Sequence, residues 1–531
     1  MSRVAALALL AALAACRPDC TPARPGAAPI VLLVTVDTFR ADHVGVYGSR
    51  RAHTPNLDRL AADGIRFEQA YSAANVTVPS HLSLLTSLPI ATHRVLTNHA
   101  ETAPAVTTLH DRFAAAGYRT AAFVSALHLG PTGPLRSVLH GLDRWDAPEK
   151  AVRPFVATET TDHLIAWLRG ACRGPAFAWT HLWDPHMPYA PPAPFDREYY
   201  TGDPRDPRHT SMRDVQLDWV LHDLRPIRRR PGPHVLALRA VKDELHVSSR
   251  TARRLLLYPD QLAGYGADAR DRLFPLIHTA QLNLHRTLPY NPPLAGFLTG
   301  IRDVDYPRAL YAGEVSYVDE QLGRLRTTLE DWGIADRVVL VVTGDHGEGL
   351  GDHGLYFNHI GLWDEMLRVP LIVWAPGRVA PGVRREPVSG LDVAPSLLRL
   401  AGLDVPTAME GRDVFAADAR GPIVAEAAKG SQITLRDGDW KLVRTLESAW
   451  VNDAFHPARG DVELYDLAGD GAERVNRAAE APEVTRALAA RLDEWMRAHG
   501  IGVDGAGYRA QMPPHLGAAE RERLRALGYV E

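Results

Sequence analysis

Three residues far apart in the chain carry side chains that divalent metals prefer. Asp37 ends one run of apolar residues, and the adjacent pair Asp345 and His346 ends another. Carboxylate oxygen and imidazole nitrogen are common ligands of divalent ions, and a catalytic ion must keep a position open for substrate. The pattern therefore predicts a metal site, although an Asp-His pair after a strand can also cap the following turn.

A hydroxyl side chain, Thr77, precedes a run of leucines that predicts a helix. Ser80 or a neighbour can cap this helix. A helix N-terminus offers free N–H groups and a positive dipole end, which suit a bound sulfate or phosphate group. Bound to a divalent ion, Thr77 would have a lowered pKa and become a usable nucleophile. A capped structural helix without chemistry explains the same stretch equally well.

Histidines supply the remaining candidates. His181 and His186 lie with Asp184 in a proline-rich, non-helical segment that core periodicity does not explain. Such side chains can hold ester oxygens or protonate a leaving group. His359 stands alone, and because a lone histidine is more often structural than functional, its role depends on its neighbours.

Continuous β-branched apolar runs must position these residues. Runs of this kind are typical of strands buried on both faces of a parallel sheet, and strands that alternate with helices predict an α/β domain with a mostly parallel central sheet. In such sheets functional groups gather at the carboxyl ends of the strands. The predicted strands are 29–36, 175–181, 337–343 and 369–374, and the predicted helices are 56–63, 107–116, 160–169 and 312–329.

Changes in the alternation of predicted strands and helices divide the chain into further parts. A catalytic domain is predicted for 29–411, with an inserted lobe, expected to be helical, at about 196–292 where the strand–helix alternation stops. A hairpin around Asp437-Gly438, a strand at 463–467 and an amphipathic helix at 484–499 predict a small α+β subdomain over 412–531.

The first 28 residues resemble a targeting segment followed by a tether. The apolar run 4–15 is too short to span a bilayer but suits a signal peptide. It ends in Leu13-Ala14-Ala15-Cys16, which resembles a bacterial lipoprotein signal, so we predict a signal peptide at 1–15, a lipidated Cys16 and a tether at 16–28. A plain signal peptide cut near Ala15, or a mis-assigned start, is the alternative. The lipoprotein hypothesis places the protein in the cell envelope, as a lipoprotein on its periplasmic or outer face.

Composition excludes some classes of function. The 531 residues are 46% hydrophobic and 23% charged, with a formal net charge of −4, so nothing predicts a nucleic-acid partner. The three cysteines, Cys16, Cys20 and Cys172, are too few for a disulfide framework or a cysteine zinc site.

Together these segments resemble the sulfatase family of the alkaline phosphatase superfamily. The resemblance implies an alkaline-phosphatase/sulfatase-like α/β sandwich and a hydrolase that acts on sulfuric or phosphoric esters. It rests on ordered motifs across nearly the whole mature chain: 36–48, 54–60, 79–86, 184–186, 311–319, 343–354, 368–372, 463–467 and 524–529.

The resemblance also implies roles for individual residues. Asp37, Asp345 and His346 match the family's metal ligands, and Thr77 falls where sulfatases carry the Cys or Ser that is oxidised to formylglycine. His186 matches a histidine that contacts the sulfate group. His359 falls near the position of a substrate-contacting lysine.

Four departures from the family pattern bear on mechanism. Thr77 cannot become formylglycine, because its β-carbon carries a methyl group and oxidation would give a ketone. His81 replaces the arginine of the Cys-x-Pro-x-Arg signature, Thr38 replaces the second of two aspartates, and the segment 125–128, which ends in His128, lacks the lysine of Gly-Lys-x-His. A threonine nucleophile with an Asp, Thr, Asp and His metal set resembles the active sites of the phosphodiesterases and of the phosphoglycerol or phosphoethanolamine transferases of the superfamily. A ligand-binding homologue without turnover is the non-enzyme interpretation.

Together these assignments predict one metal site with a defined geometry. One divalent ion (Ca²⁺, Mn²⁺ or Zn²⁺) is bound by Asp37, Asp345, His346 and the oxygen of Thr77, so that oxygen must lie beside the other ligands. A second ion could bind at Asp184, His186 and His359. The substrate is a small-molecule, glycan or lipid ester of sulfate or phosphate. The remaining assignments are catalytic roles for Thr77, His186 and His359 and substrate contacts by His81, His128 and His181.

Overall fold

The protein is described by a computed structural model. It covers residues 18, 20, 27–98, 106–148, 154–213, 215, 233–248, 251–252, 255–256, 259–287, 298, 300–416, 421–449, 455–506 and 508. The predicted signal peptide, the lipidated Cys16 and the motif at 524–529 lie outside these residues.

The strands follow the predicted apolar runs closely. They are β1 (Ile30–Val36), β2 (Ile65–Phe67), β3 (Ala70–Tyr71), β4 (Arg119–Val124), β5 (Arg144–Asp146), β6 (Ala176–Leu182), β7 (Val338–Gly344), β8 (Gly349–Leu350), β9 (Tyr356–Asn358), β10 (Arg368–Val369), β11 (Leu371–Trp374), β12 (Gly382–Arg384), β13 (Val388–Ser389), β14 (Ile423–Glu426), β15 (Gln432–Asp437), β16 (Trp440–Thr445) and β17 (Val462–Asp466).

Helices connect the strands and cover the sheet. The α-helices are α1 (Pro55–Ala62), α2 (Thr77–Thr86), α3 (Ile90–His93), α4 (Leu109–Ala115), α5 (Ala157–Ala171), α6 (Pro233–Leu245), α7 (Ala267–Thr287), α8 (Asp305–Asp331), α9 (Asp364–Leu367), α10 (Val393–Leu400) and α11 (Pro482–Ala498). Short 3₁₀ segments occur at Ala41–His43, Gly45–Tyr47, Leu127–Leu129, Pro134–Ser137, Phe195–Arg197, Ser211–Arg213, Pro259–Tyr265, Ala335–Arg337, Asp352–Gly354, Gly390–Asp392 and Ala428–Gly430.

The central sheet confirms the α/β prediction. Its strand order is β12-β2-β11-β7-β1-β6-β4-β5, and all neighbouring pairs are parallel except those that involve β11. All seven residues of β1 are buried, as expected of a strand covered on both faces. Ile30, Leu32 and Val34 pack into one hydrophobic cluster with α8, whereas Val31 and Leu33 pack into another with α2, so the sheet lies between two helical layers.

One predicted strand is divided in two. The apolar run 369–374 contributes β10, which pairs with β3 in a separate three-stranded sheet, and β11, which pairs with β7 in the central sheet. Pro370 lies between them. Because proline has no N–H to donate, the ladder stops there and the chain changes sheet.

Two smaller units accompany the central sheet. An antiparallel sheet of β14-β15-β16-β17 packs against α11 through a separate hydrophobic cluster. Within the segment 196–292, α6 and α7 form a small apolar core from Ala237, Val241, Leu273 and Ile277. No helix in the described ranges is long and apolar enough to cross a bilayer.

A disulfide joins Cys20 to Cys172, across 152 residues of sequence. The cysteine count excluded a disulfide framework but gave no sign of this single bond. Cys20 lies in the segment predicted as a free tether, and its side chain packs against the main hydrophobic core. The disulfide therefore joins the predicted tether segment to the domain at Cys20.

Candidate active site

Three parallel strands bring the predicted site residues to one edge of the sheet. β1 lies between β6 and β7 in a register that sets Val36 beside Leu182 and Gly344. The strands therefore end level with one another. The backbone N–H of Asp37 then donates to Leu182 O, and that of Asp345 donates to Val36 O, which holds the residues just beyond the strand ends in place.

Asp37, Asp345 and His346 form the candidate metal group. One possible ligand atom of each lies within 4.8 Å of the others, and no other group of three such residues meets this criterion in the described part of the chain. His346 Nε2 lies 3.7 Å from Asp37 Oδ1 and 3.6 Å from Asp345 Oδ2. All three side chains are fully buried.

The hydrogen bonds around this group do not use the atoms that would bind a cation. Both oxygens of Asp37 and Oδ2 of Asp345 have no hydrogen-bond partner among the described residues. Nδ1 of His346 lies 3.0 Å from Gly347 O, so this nitrogen carries the proton and Nε2 keeps its lone pair. Buried carboxylates without partners are costly. Their convergence on an unprotonated imidazole nitrogen therefore fits a divalent ion.

Burial shifts the ionisation of all three groups. It raises the pKa of Asp37 to about 6 and, together with the charge of Asp37, raises the pKa of Asp345 well above its ordinary value. It lowers the pKa of His346 to about 3 and so favours the neutral ring that a metal ligand needs. A bound cation would favour both carboxylates in their charged form.

Thr77 meets the geometric requirement set by the sequence. It is the first residue of α2, it is buried, and its Oγ1 lies 3.4 Å from His346 Nε2. The hydroxyl groups of Ser72 and Ser80 both donate to the backbone oxygen of Asp345. These bonds fix the start of α2 against the segment that follows β7.

The start of α2 differs from the prediction in two respects. Ser80 does not cap the helix, because its hydroxyl is used on Asp345 O, and no side chain of the N-cap residue Val76 can do so. The N–H of Val78, expected to be free for an anion, donates to Asn98 Oδ1 over 2.8 Å. One N–H group of the predicted anion-binding site is therefore already hydrogen-bonded within the protein.

His186 and His359 flank the metal group on its more accessible side. Their ring centroids are 5.8 Å apart, and the His359 ring lies 4.4 Å from that of His346. Both side chains are only partly buried. Burial is the largest influence on the pKa of Asp37, and a charge on His186 would act in the opposite direction and lower it. Burial lowers the pKa of His359 well below its ordinary value, so this ring is neutral.

The three predicted substrate contacts lie in different places. His81 cannot contact substrate as predicted, because Nδ1 faces Thr77 O at 2.8 Å and Nε2 faces Thr35 Oγ1 at 2.9 Å. His181 is fully buried, and its Nε2 faces Asp37 Oδ2 at 3.4 Å. His128 lies further out, with its ring 6.2 Å from that of Trp183.

The proposed second ion finds no support in the geometry. Asp184, His186 and His359 do not form a metal-binding group under the criterion that selects Asp37, Asp345 and His346 within the described residues. Oδ2 of Asp184 accepts a hydrogen bond from the backbone N–H of Ala157 over 2.8 Å. This carboxylate is therefore directed toward the start of α5.

Two residues that sequence reasoning did not single out support the site. Arg40, three residues after Asp37, donates to Asp42, Asp352 and the backbone oxygen of Glu348. Asn75, two residues before Thr77, donates to the backbone oxygens of His359 and Gly361 and accepts from the N–H of Ala428. Both stand inside or beside motifs quoted above, and their positions next to Asp37 and Thr77 were the available signal.

Known proteins share this sequence pattern and fold. The sulfatase family model matches residues 29–403. An arylsulfatase of Clostridium perfringens is 23% identical over 468 residues, covering 84% of this chain and 90% of the relative. An N-acetylglucosamine-6-O-sulfatase of Bacteroides thetaiotaomicron is 25% identical over 501 residues, covering 84% and 82%.

The fold has solved counterparts as well. The crystal structure of phosphonate monoester hydrolase of Agrobacterium radiobacter superposes with a TM-score of 0.61 at 22% identity, covering 89% of this chain and 96% of that one. This likeness shows the fold, while the family model spans well over half of the sequence and includes Asp37, Thr77, Asp345 and His346. The chain therefore belongs to the sulfatase family.

Proposed function

We propose that this sulfatase-family protein is a metal-dependent hydrolase of sulfuric or phosphoric esters that uses Thr77 as its nucleophile. The observation that carries the proposal is the position of Thr77 Oγ1, 3.4 Å from the unprotonated Nε2 of His346. A hydroxyl at the start of a helix, beside the candidate metal group, is placed to attack an ester centre bound at the same edge.

Each residue of the group has a distinct part in the proposed reaction. A divalent ion held by Asp37, Asp345 and His346 would supply Lewis-acid activation. Thr77 Oγ1 releases its proton to solvent and forms a bond to sulfur or phosphorus, while the bond to the leaving oxygen breaks. His186 gives that oxygen a proton, and the neutral His359 donates a hydrogen bond that orients the ester. Water then hydrolyses the threonine ester and restores Thr77.

The charge of the site favours a singly charged ester. His81 stands where the family pattern has an arginine, His359 falls near the position of a lysine, and Ala126 stands where the pattern has another lysine. Burial holds His81 and His359 neutral by lowering their pKa values. A site with fewer fixed cations repays less of the desolvation of a dianion. Sulfate monoesters, phosphodiesters and phosphonate monoesters are therefore expected to be better substrates than phosphate monoesters.

The relatives name substrates that fit this expectation. One relative is an N-acetylglucosamine-6-O-sulfatase, another an arylsulfatase, and a structural neighbour is a phosphonate monoester hydrolase. We propose a glycan, lipid or small-molecule ester of one of these chemical types as the substrate.

A second candidate function is favoured by Thr77 itself. Since threonine cannot give formylglycine, a phosphodiesterase, or a transferase that passes a phosphoglycerol or phosphoethanolamine group to another hydroxyl, fits the nucleophile without any modification. A transferase would release more product when an acceptor alcohol is added, whereas a hydrolase would not. A homologue that only binds ligand would turn over neither class of substrate.

Substitution of Thr77 tests the nucleophile. The Thr77→Ala variant should lose at least about a thousandfold in kcat because no oxygen remains to attack, while the hydroxyl-bearing Thr77→Ser variant should retain most of it. Turnover is measured on aryl sulfate, phosphodiester, phosphonate monoester and phosphate monoester substrates, with Ca²⁺, Mn²⁺ or Zn²⁺ added. Undiminished activity in a folded Thr77→Ala variant would refute the mechanism.

We also propose that the protein is exported and anchored by lipid on Cys16. The Cys20–Cys172 disulfide supports export, because structural disulfides persist mainly in oxidising compartments. The Cys16→Ser variant should move from the membrane fraction to the soluble envelope fraction, since a lipid chain provides the anchor. The intact lipid-modified N-terminal peptide is detectable by mass spectrometry, and recovery of an unmodified Cys16 from wild type would contradict the proposal.

A further inference from the structure

The disulfide between Cys20 and Cys172 fixes the chain close to the residue proposed to carry a lipid. The Cα atoms of the two cysteines are 5.0 Å apart, and Cys20 packs against the main hydrophobic core. Cys16 lies four positions before Cys20. Because an extended chain spans at most about 3.6 Å per residue, Cys16 must lie within roughly 15 Å of Cys20.

Cys172 lies at the amino edge of the central sheet, the edge at which β1, β6 and β7 begin. Arg337, directly before β7, donates to the backbone oxygens of Cys172 over 2.7 Å and of Gly174 over 2.9 Å. The first residues of the three strands are level with one another. The candidate metal group follows their last residues, at the carboxyl edge. Since a strand rises about 3.3 Å per residue, the seven residues of β1 set the two edges about 20 Å apart.

The side chains around Cys172 suit the headgroup layer of a membrane. Arg169 lies over the ring of Trp332 at 5.3 Å, and Arg119 lies over that of Trp167 at 5.6 Å. Both arginines are exposed and both tryptophans are half-buried. Tryptophan is enriched at the level of lipid headgroups, and arginine is attracted to anionic ones. Asp336 is also exposed at this edge, so the surface carries both signs of charge and its attachment depends on the lipid anchor.

We infer that the anchored protein lies with its amino edge on the bilayer and its active site directed away from it. A tether of roughly 15 Å is shorter than the distance of about 20 Å between the edges, so the carboxyl edge cannot turn to the membrane that holds the protein. The inference rests on the lipid anchor and the ester hydrolysis proposed above. It narrows the substrate to a water-soluble ester, of a glycan or a small molecule, and excludes a lipid of the same bilayer.

The disulfide sets this orientation. Without it, the next described residue is Ala27, whose backbone oxygen accepts from Arg378 over 2.8 Å. Ala27 lies eleven positions after Cys16, which corresponds to a span of up to about 40 Å. This length exceeds the distance between the two edges. A protein without the bond would therefore be able to bring its site to the lipid headgroups.

Fluorescence quenching tests the orientation and requires no turnover. The full-length, lipid-modified protein is bound to vesicles of phosphatidylethanolamine and phosphatidylglycerol that carry a short-range quencher on their headgroups. A dye is attached to Asp336→Cys, at the amino edge, or to Ala190→Cys, which is exposed beside Tyr189, a hydrogen-bond donor to Glu348 at the carboxyl edge. The dye at position 336 should lose most of its fluorescence. The dye at position 190 should lose no more than it does in the Cys16→Ser background, which lacks the anchor.

Hydrolysis in the same vesicles tests the substrate class. An aryl ester that the protein turns over is compared with the same ester group carried on a dialkylglycerol lipid in the bilayer. Wild type should hydrolyse only the soluble ester, because a lipid that the tether keeps out of reach has an effective concentration near zero at the site. The double variant Cys20→Ser, Cys172→Ser should hydrolyse the lipid ester at least about tenfold faster than wild type. Its unchanged rate on the soluble ester is the control for folding.

Two results would overturn the inference. One is equal quenching at positions 190 and 336 in the anchored protein, and the other is hydrolysis of the lipid ester by wild type as fast as by the double variant. A protein without lipid on Cys16 would not bind the vesicles, and the inference would fall with the anchor. A protein that hydrolyses no ester would still show the difference in quenching, so failure of the proposed hydrolase function is distinguishable from failure of the orientation.

Discussion

At the scale of single residues, Arg40 links the two segments that carry the metal group. Its guanidinium donates to both carboxylate oxygens of Asp42 at 2.8 Å, to Asp352 at 2.6 Å and to the backbone oxygen of Glu348 at 2.8 Å. Arg40 follows Asp37, and Glu348 follows His346. The planar fork of arginine suits this arrangement, whereas the single ammonium of lysine would not satisfy it.

Replacing Arg40 should weaken both the fold and metal binding. The Arg40→Met variant should lose about 1–3 kcal/mol in the free energy of unfolding, since its buried guanidinium gives up hydrogen bonds to a carbonyl and to two carboxylates that stay partly hydrated. Denaturant unfolding measures this loss, and calorimetry should show weaker Zn²⁺ binding. Arg51 also contacts Asp42 but is 60% exposed, so Arg51→Met should cost less than about 1 kcal/mol. Equal losses in the two variants would show that burial of Arg40 is not the cause.

Residue types identified much of the candidate site but not the state of each side chain. Asp37, Thr77, Asp345 and His346 were found because their types, their positions beside predicted elements and the family pattern agreed, and the structure brings them together. The orientation of His81 could not be predicted, because its partner Thr35 lies 46 positions away and becomes a neighbour only through the fold.

At the scale of elements, one buried lysine joins the C-terminal sheet to the catalytic domain. Lys441, in β16, lies 2.9 Å from Asp364 in α9 and 2.8 Å from Glu473. The side chains of Lys441 and Glu473 are almost wholly buried. The ammonium group of Lys441 therefore lies at the contact between β16 and α9.

Removing this lysine should destabilise the protein strongly. The Lys441→Met variant should lose about 3–5 kcal/mol in the free energy of unfolding, because the carboxylate of Glu473 remains buried without its cation. Thermal and denaturant unfolding measure the change. Lys242→Met, at an exposed position of α6, is the matched control and should change stability by less than about 0.5 kcal/mol. A small loss at both positions would contradict the argument.

Elements were predictable where one local pattern dominates. The β-branched run before Asp37 gave β1 almost to the residue, and Asp437-Gly438 marked the turn between β15 and β16. The run 369–374 was misread as one strand because hydrophobicity alone does not show which sheet each half joins. Its Pro370 was visible and, with its missing N–H, was the signal that the ladder must break.

At the scale of the whole molecule, the disulfide closes a long covalent loop. Cys20 and Cys172 are 152 positions apart, and the loop between them contains β1 and α2, with the proposed nucleophile Thr77. No local pattern predicts such a pairing, since it depends on how the termini of distant elements meet. The number of cysteines can be counted from the residues alone, but the bond between Cys20 and Cys172 cannot be predicted from them.

Breaking the disulfide should lower stability without changing the site directly. Cys20→Ser should reduce the free energy of unfolding by about 2–4 kcal/mol, because the unfolded chain regains the freedom of a long loop. The melting temperature of wild type should fall in reductant, and that of Cys20→Ser should not fall further. A reductant effect of the same size in both proteins would show that it arises elsewhere.

The side chain of Asn75 has a consequence for how the protein is made. It joins the segment before Thr77 to the backbone at His359, Gly361 and Ala428. A ribosome must therefore translate most of the 531 codons before the last of these partners exists. Nascent chains shorter than 428 residues carry the hydroxyl of Thr77, the proposed nucleophile, without all of the contacts that Asn75 makes beside it, so the candidate site is completed late in synthesis.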